Sequence, residues 1–418
     1  MSGVSATPAV APASGAARFA ALPPLSLYVH IPWCIRKCPY CDFNSHEARG
    51  AIDEDAYVDA LVADLDAALP GVWGRKVGTV FIGGGTPSLF APASIDRLLS
   101  AVRARLPLVP GAEVTLEANP GTFERQRFAG YLAAGVNRLS LGVQSFSPRH
   151  LAALGRVHDG DEARRAAEAA LTIFGNVNLD LMFALPGQTL AECDADVAAA
   201  LAFGTPHLSF YQLTIEPNTR FHHQPPPALP DHDLAADMQE LVASRLAAAG
   251  YGRYEVSAYA QPGRECAHNL NYWRFGDYLG IGAGAHAKVS FADRIVREIR
   301  CKQPQQYVAA VSAGDAVLER RDIAREEVGF EFMLNALRLT RGVPSSFFAE
   351  RTGHPLALVA RTIEEGVRRG LIDADPARIV ATETGQRFLN TTLELFLPPD
   401  DRVPPARGAS VAVVEVSR

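Results

Sequence analysis

The sequence predicts an α/β protein: a partial (β/α)6 TIM-like barrel followed by a mainly helical, winged-helix-like C-terminal domain. Three observations predict it. From residue 26 short apolar runs alternate with longer amphipathic ones, the rhythm of repeated strand and helix units. A proline-rich stretch, HHQPPPALP at 222–230, interrupts helix and strand alike. Past about residue 300 the pattern turns to helix, helix, helix and then a short strand pair.

The strand-like runs are 26–31 (SLYVHI), 78–83 (GTVFIG), 113–118 (EVTLEA), 137–143 (NRLSLGV), 176–183 (NVNLDLMF) and 207–214 (HLSFYQLT). Between them lie helical patterns at 53–69, 91–106, 123–134, 160–174 and 189–202. The first of these repeats apolar residues at Tyr57, Leu61, Leu65 and Leu69 behind an acidic first turn, which suits the helix dipole. Six strands, each followed by a helix, imply a parallel sheet with right-handed crossovers. They are too few for a closed eight-stranded barrel, so an open or three-quarter barrel is expected. A helix at 232–249 and a strand at 253–260 follow, and then helices at 324–340, 344–352 and 355–369 before GLIDADPARIVATETG at 370–385. The expected organisation is an Ala/Pro-rich disordered tail at 1–24, the barrel at 25–220, an extension at 221–300, the C-terminal domain at 301–400 and a second tail at 401–418.

With 418 residues, 48% hydrophobic and 21% charged, the chain buries a large core in two or three domains. A net charge of −6 gives no global positive field for nucleic acid or anionic lipid. No apolar run approaches the ~20 residues of a membrane span, the longest being interrupted by Asn178, Asp180 or Asp194. Pro8 and Pro12 break the only candidate secretory stretch. Cys193, Cys266 and Cys301 are widely separated and form no secreted disulfide framework. A reducing, cytoplasmic location is expected.

The chemistry concentrates directly after the first strand, where Cys34, Cys38 and Cys41 have the spacing C-x-x-x-C-x-x-C. A [4Fe-4S] cluster is ordinarily held by four thiolates, so three on one loop leave one iron open to a small molecule. A zinc site completed by His30 or His46 is the alternative. The position suits a catalytic cofactor, since ligands gather at the carboxyl ends of barrel strands. Tyr28 and Tyr40 flank the loop and can each touch the occupant or simply pack. After the second predicted strand comes Gly83-Gly84-Gly85-Thr86-Pro87, a turn whose backbone a charged amino-acid head can approach closely. The run Gly280-Ile281-Gly282-Ala283-Gly284 lacks the spacing of a dinucleotide fingerprint.

The runs YVHIPWCIRKCPYC, GGGTPS, LEANPG, GVQSF and NLDLMFALPGQT resemble those of radical S-adenosylmethionine enzymes, within the group of oxygen-independent coproporphyrinogen oxidases and their haem-chaperone relatives. The resemblance covers Tyr28 to about His286, and the C-terminal domain more loosely. It implies a [4Fe-4S] cluster on Cys34, Cys38 and Cys41 whose open iron binds S-adenosylmethionine. It further implies cofactor contacts from Tyr28, Tyr40, Gly84, Gly85, Thr86, Glu117, Gln144, Arg156 and Asp180.

Within that group the oxidases extend the loop to C-x-x-x-C-x-x-C-x-C, and here Phe43 stands at the last position. Oxidase activity is therefore doubted, and whether the chain is an enzyme at all is left open. His268-Asn269-Leu270-Asn271-Tyr272-Trp273 is similar to the H-N-x-x-Y-W signature of the haem-chaperone branch. A neutral His can ligate haem iron, so His268, Tyr272 and Trp273 are candidate haem-binding residues, with His30, His286 and Cys266 as rivals. The expected function is binding haem and delivering it to acceptor haemoproteins, with a flavodoxin- or ferredoxin-type electron donor and a homodimer left open. The alternatives are the oxidase, acting on coproporphyrinogen III propionates, and a DNA-binding regulator using Arg361, Arg368 and Arg369 of helix 355–369.

Overall fold

A computed structural model describes residues 16–121 and 124–398. The barrel runs β1 (Leu25–Ile31), α1 (Glu54–Val72), β2 (Val77–Gly84), α2 (Pro92–Arg105), β3 (Leu108–Ala118), α3 (Glu124–Ala134), β4 (Arg138–Gln144), α4 (Gly160–Ile173), β5 (Val177–Phe183), α5 (Leu190–Ala202) and β6 (His207–Gln212). Local signals start the helices. The Asp53 side chain caps α1 by accepting from Ala56 N–H, and Asp159 with Glu162 and Thr189 with Glu192 form capping boxes on α4 and α5. Tyr57, Leu61 and Leu65 of α1 are buried in the barrel core, as the four-residue spacing predicts.

Strands β1 to β6 lie side by side in chain order, every neighbouring pair parallel. The expected open α/β barrel is therefore present. Its edges come from the later chain. Asp277–Ile281 pairs in parallel with the free edge of β1 and is followed by antiparallel His286–Ser290, Ile295–Arg300 and Val317–Asp322. Ala258–Ala260 pairs antiparallel with β6.

Three expectations change. The strand expected at 253–260 is a hairpin: Gly252–Arg253 pairs back on Ala258–Ala260, and a Glu255 carboxylate accepts from Ser257 N–H in the bend. Alternating apolar residues suit one strand or two equally well, and only the pairing decides. The N-terminal tail expected at 1–24 is ordered from residue 16 onward. Ala17 N–H donates to Asp293 O and Arg18 N–H to Gly353 O, and Phe19 packs on the C-terminal core. Composition could not show that partner. Residues 1–15 and the tail expected at 401–418 lie outside the described residues. Finally, no clean division falls at the expected 301: Tyr307 and Ala316 belong to the barrel core, whereas Tyr254 and Ile295 pack with Ile323 in the second core.

The C-terminal domain orders helix Arg325–Ala336, strand Val343–Pro344, helices Ser346–Thr352 and Ala360–Arg368, and strand Arg378–Ile379 paired to Val343–Pro344, a winged-helix-like arrangement. Its core of Phe332, Met333, Phe348 and Ile379 also takes in Tyr272, Trp273, Phe275 and Tyr278 from the barrel extension. Arg297 holds the seam, donating to Tyr278 Oη at 2.9 Å and ion-pairing with Glu331. Arg368 and Arg369 both pair with the single carboxylate of Glu365, which offsets part of the charge a DNA-reading helix would present.

Candidate functional site

The cysteine loop is pinned at its neck. Trp33–Cys34 pairs in parallel with His46–Glu47, Lys37 Nζ donates to the carbonyls of Phe43 and Ser45 at 3.0 and 3.3 Å, and Asn44 Nδ2 donates to Ala283 O and Lys302 O. Behind it, His30 Nε2–H donates to Asn44 O at 2.9 Å, which leaves Nδ1 to accept from Tyr28 Oη at 2.9 Å. His46 Nε2 donates to Lys302 O at 3.3 Å. Both histidines are thus engaged, and among the described residues no three His, Cys, Asp or Glu side chains converge on one metal position. His30, with both ring nitrogens bonded, has none left for a zinc ion. Three thiols on one loop suit a cluster in which each binds its own iron.

Close approach explains the glycines. A Cβ on Gly85 would stand 2.6 Å from Trp33 O. Gly282, at φ +106°, would meet His30 O at 2.4 Å, so the second glycine run exists to let the loop's base pack, with no nucleotide required. The β1–β2 register sets His30 beside Gly83 and Ile31 beside Gly84, bringing the turn to the cysteines.

The three cysteines, Tyr40, Gly84, Gly85, Thr86, Glu117, Gln144, Arg156 and Asp180 line one cavity of about 510 Å³ at the carboxyl ends of the strands. Glu117 Oε2 accepts from Gly84 N–H at 3.0 Å. Asp180 accepts from Ser140 Oγ at 2.8 Å and Asn178 Nδ2 at 2.9 Å. Gln144 sits at φ +67°, where β4 slips register against β5. A non-glycine residue in that region is strained, and a bulge re-aims its side chain. Burial raises the Cys34 thiol and pushes Cys41 up to about 11.

Sequence reasoning missed Asn119. Its Nδ2 donates to Thr86 Oγ1 at 2.9 Å, Thr86 Oγ1 donates to Cys34 Sγ at 3.6 Å, and Arg156 donates to Asn119 Oδ1 at 2.6 Å and to Cys38 Sγ at 3.5 Å. The bridge Cys34–Thr86–Asn119–Arg156–Cys38 spans two of the three thiols. The available signal was its place two residues past Glu117, at the end of a strand before Pro120-Gly121.

Tyr28 is not in the main cavity. It stacks on Phe81 with centroids 6.2 Å apart and lines an adjoining inner chamber of about 40 Å³ together with His268, Tyr272 and Trp273. Helix Ala267–Trp273 closes that chamber, its first turn capped by Glu113, which accepts from Ala267 N–H and His268 N–H. Thr79 Oγ1 donates to Ser26 Oγ, so His268 Nδ1–H donates to Thr79 at 2.8 Å. His268 is 3% exposed, its Nε2 and Trp273 Nε1 have no partner, and burial, with Arg138 nearby, lowers it to about 3. A chamber this size holds on the order of three waters. In this conformation it does not admit a porphyrin to His268. Trp273 also lines the main cavity, under the guanidinium of Arg338 at 4.3 Å.

A three-thiol loop over a cavity of strand-end polar groups defines a class. The chain matches the Radical SAM superfamily over residues 28–200 and the HemN C-terminal domain over residues 323–388. Within that class it belongs to the heme chaperone HemW family. It is 50% identical over 378 residues to "Heme chaperone HemW" of Escherichia coli, covering 90% of this chain and 99% of that protein. It is 46% identical to the Haemophilus influenzae protein of the same name, covering 90% and 98%. The solved structure of coproporphyrinogen III oxidase (HemN) from Escherichia coli, described as a radical SAM enzyme, matches with TM-score 0.76, 25% identity and 90% coverage of both chains. Radical SAM membership implies a [4Fe-4S] cluster and S-adenosylmethionine. Among the described residues no helix is long and apolar enough to cross a membrane.

Proposed function

We propose that the protein is a cytoplasmic haem chaperone that binds haem and delivers it to acceptor haemoproteins, with the cluster and S-adenosylmethionine housed in the 510 Å³ cavity. The observation that carries the reading is the cysteine loop itself: three thiols face the cavity and Phe43, 37% exposed, occupies its rim where the oxidase pattern has a fourth cysteine. The family relatives named heme chaperone support it.

Cys34, Cys38 and Cys41 would hold the cluster. When bound, the cluster and S-adenosylmethionine supply one-electron chemistry. The Arg156 guanidinium suits the carboxylate of the methionine head. Glu117 and Asp180 suit its ammonium or the ribose hydroxyls, and Gln144 offers an amide to the same ligand. Tyr40, half-buried beside Arg156 and Cys38 with its phenol raised by desolvation, remains a neutral wall beside the thiols. Tyr28 acts through His30 on the loop. A flavodoxin- or ferredoxin-type protein would supply electrons.

The test is anaerobic incubation of the reconstituted protein with haem and, separately, with coproporphyrinogen III. The expected result is retained haem that passes to an apo-haemoprotein. Efficient formation of protoporphyrinogen IX with no haem retained overturns the reading in favour of the oxidase, whose fold this chain shares.

A further inference from the structure

We propose that the cargo porphyrin seats on an apolar rim at the mouth of the main cavity, formed by Ile35, Phe43 and Val157, with Arg36 receiving a propionate. The inference rests on the haem-chaperone reading and names where the cargo binds.

Most large apolar side chains of the described residues are buried, but Ile35 is 64%, Phe43 37% and Val157 51% exposed, and all three line the same opening. Apolar groups gathered at one cavity mouth mark a binding surface, whereas singly scattered ones do not. Their exposure is enforced by the backbone. Ile35 follows Cys34 on the pinned loop, and the Phe43 carbonyl is held by Lys37 Nζ, which fixes the backbone that carries both side chains. Val157 lies between Arg156, which turns into the cavity, and buried His158, whose Nε2 donates to Val143 O at 3.1 Å. Its side chain is left facing outward.

The charge fits as well. Arg36 lines the same opening and is exposed. Its neighbour Lys37 is committed to the loop carbonyls, but Arg36 has no hydrogen-bond or ion-pair partner among the described residues. Haem is a flat apolar disc with two carboxylates on one edge. It needs an apolar shelf and a cation beside it, and a guanidinium matches a carboxylate bidentately. The inner chamber, about 40 Å³ behind helix Ala267–Trp273, offers too little room.

The test titrates haem into the cluster-reconstituted full chain, following the Soret band, for wild type, Val157→Asp, Phe43→Asp, Arg36→Glu and a control, Phe388→Asp, at an exposed apolar position absent from this cavity. Iron and sulfide content verifies the cluster in each, and Val157→Asp stands in should Phe43→Asp disturb it. The expected result is about tenfold weaker binding or more for the two rim Asp variants, the equivalent of one apolar contact replaced by a charge, several-fold weakening for Arg36→Glu, and no change for the control. Wild-type affinity in cluster-loaded Val157→Asp overturns the proposal. If that variant keeps haem but loses reduction by a flavodoxin-type donor, the rim is a protein-docking face and the proposal also fails. If wild type binds no haem at all, the chaperone reading fails and takes the rim with it.

Discussion

At the carboxyl ends of the barrel strands, Glu117, Gln144, Arg156 and Asp180 turn polar groups into a cavity of about 510 Å³. Below it, with Glu117, Ser140, Asp180, Tyr211 and Trp273 as shared walls, helix Ala267–Trp273 closes a chamber of about 40 Å³. The upper site is held by bonds between its own walls: one Glu117 oxygen anchors on Gly84 N–H, and Arg156 reaches both Asn119 and Cys38. The lower one is knitted to itself. His268 donates to Thr79, Thr79 to Ser26, Asn271 to Ser26, and Glu113 caps the helix. The two polar regions thus differ in room, about 510 Å³ above against about 40 Å³ below. The H-N-x-x-Y-W segment, read as a haem site, is here the plug that closes the barrel onto the C-terminal core.

Four changes probe that contrast. Cys38→Ala should have the largest effect and the most local: cluster iron and sulfide fall to background, while the melting temperature of the cluster-free chain barely moves, because the thiol contributes little packing. A large loss of cluster-free stability would mean the upper site is structural too. Asp277→Asn, at the base of the sheet, should do the reverse. Asp277 is fully buried and accepts from Lys288 Nζ and Ser290 Oγ, with Arg75 at 2.8 Å. Breaking a buried ion pair costs about 3–5 kcal/mol, read in urea unfolding, with thiol-bound iron after reconstitution unchanged per folded molecule.

Asn119→Ala removes the middle of the bridge between Cys34 and Cys38, at a cost of about 1–2 kcal/mol. The expected signature is a more negative cluster potential in EPR-monitored titration, since hydrogen bonds to the sulfurs set that potential. An unchanged potential would falsify the bridge's role. The smallest effect concerns pH. His268 is lowered to about 3 and His30 to about 4, both chiefly by burial, so the unfolded chain takes up protons the folded one refuses. Their contribution is complete above the ordinary histidine value near 6.5 and is lost as pH falls through the folded values. His268→Gln should flatten the decline in melting temperature between about pH 6.5 and 4; an unaltered slope would show that His268 is not buried as described.

Much of the upper site was legible in the sequence, because it is local. Cys34, Cys38 and Cys41 share one loop, and Gly84, Thr86, Glu117 and Gln144 each follow or end an apolar run that reads as a strand. Asn119 escaped because its partners, Thr86 and Arg156, are 33 and 37 residues away. Tyr28 was assigned to the cofactor since it stands near the cysteines in sequence, yet its side chain points to the inner chamber on the alternation of β1.

Periodicity and spacing by themselves determined the six-stranded parallel barrel, the three-thiol loop and the glycine turn, since strand alternation, helix repeat and loop spacing act over a few residues. The tertiary structure alone decided that Asp277–Ile281 extends the sheet beside β1, that 253–260 is a hairpin, that Ala17 and Arg18 are anchored, and that His268 is enclosed while Phe43 and Val157 stand at a cavity mouth. Each of these depends on contacts between segments far apart in the chain, and what buries or exposes a side chain is its partner across the fold.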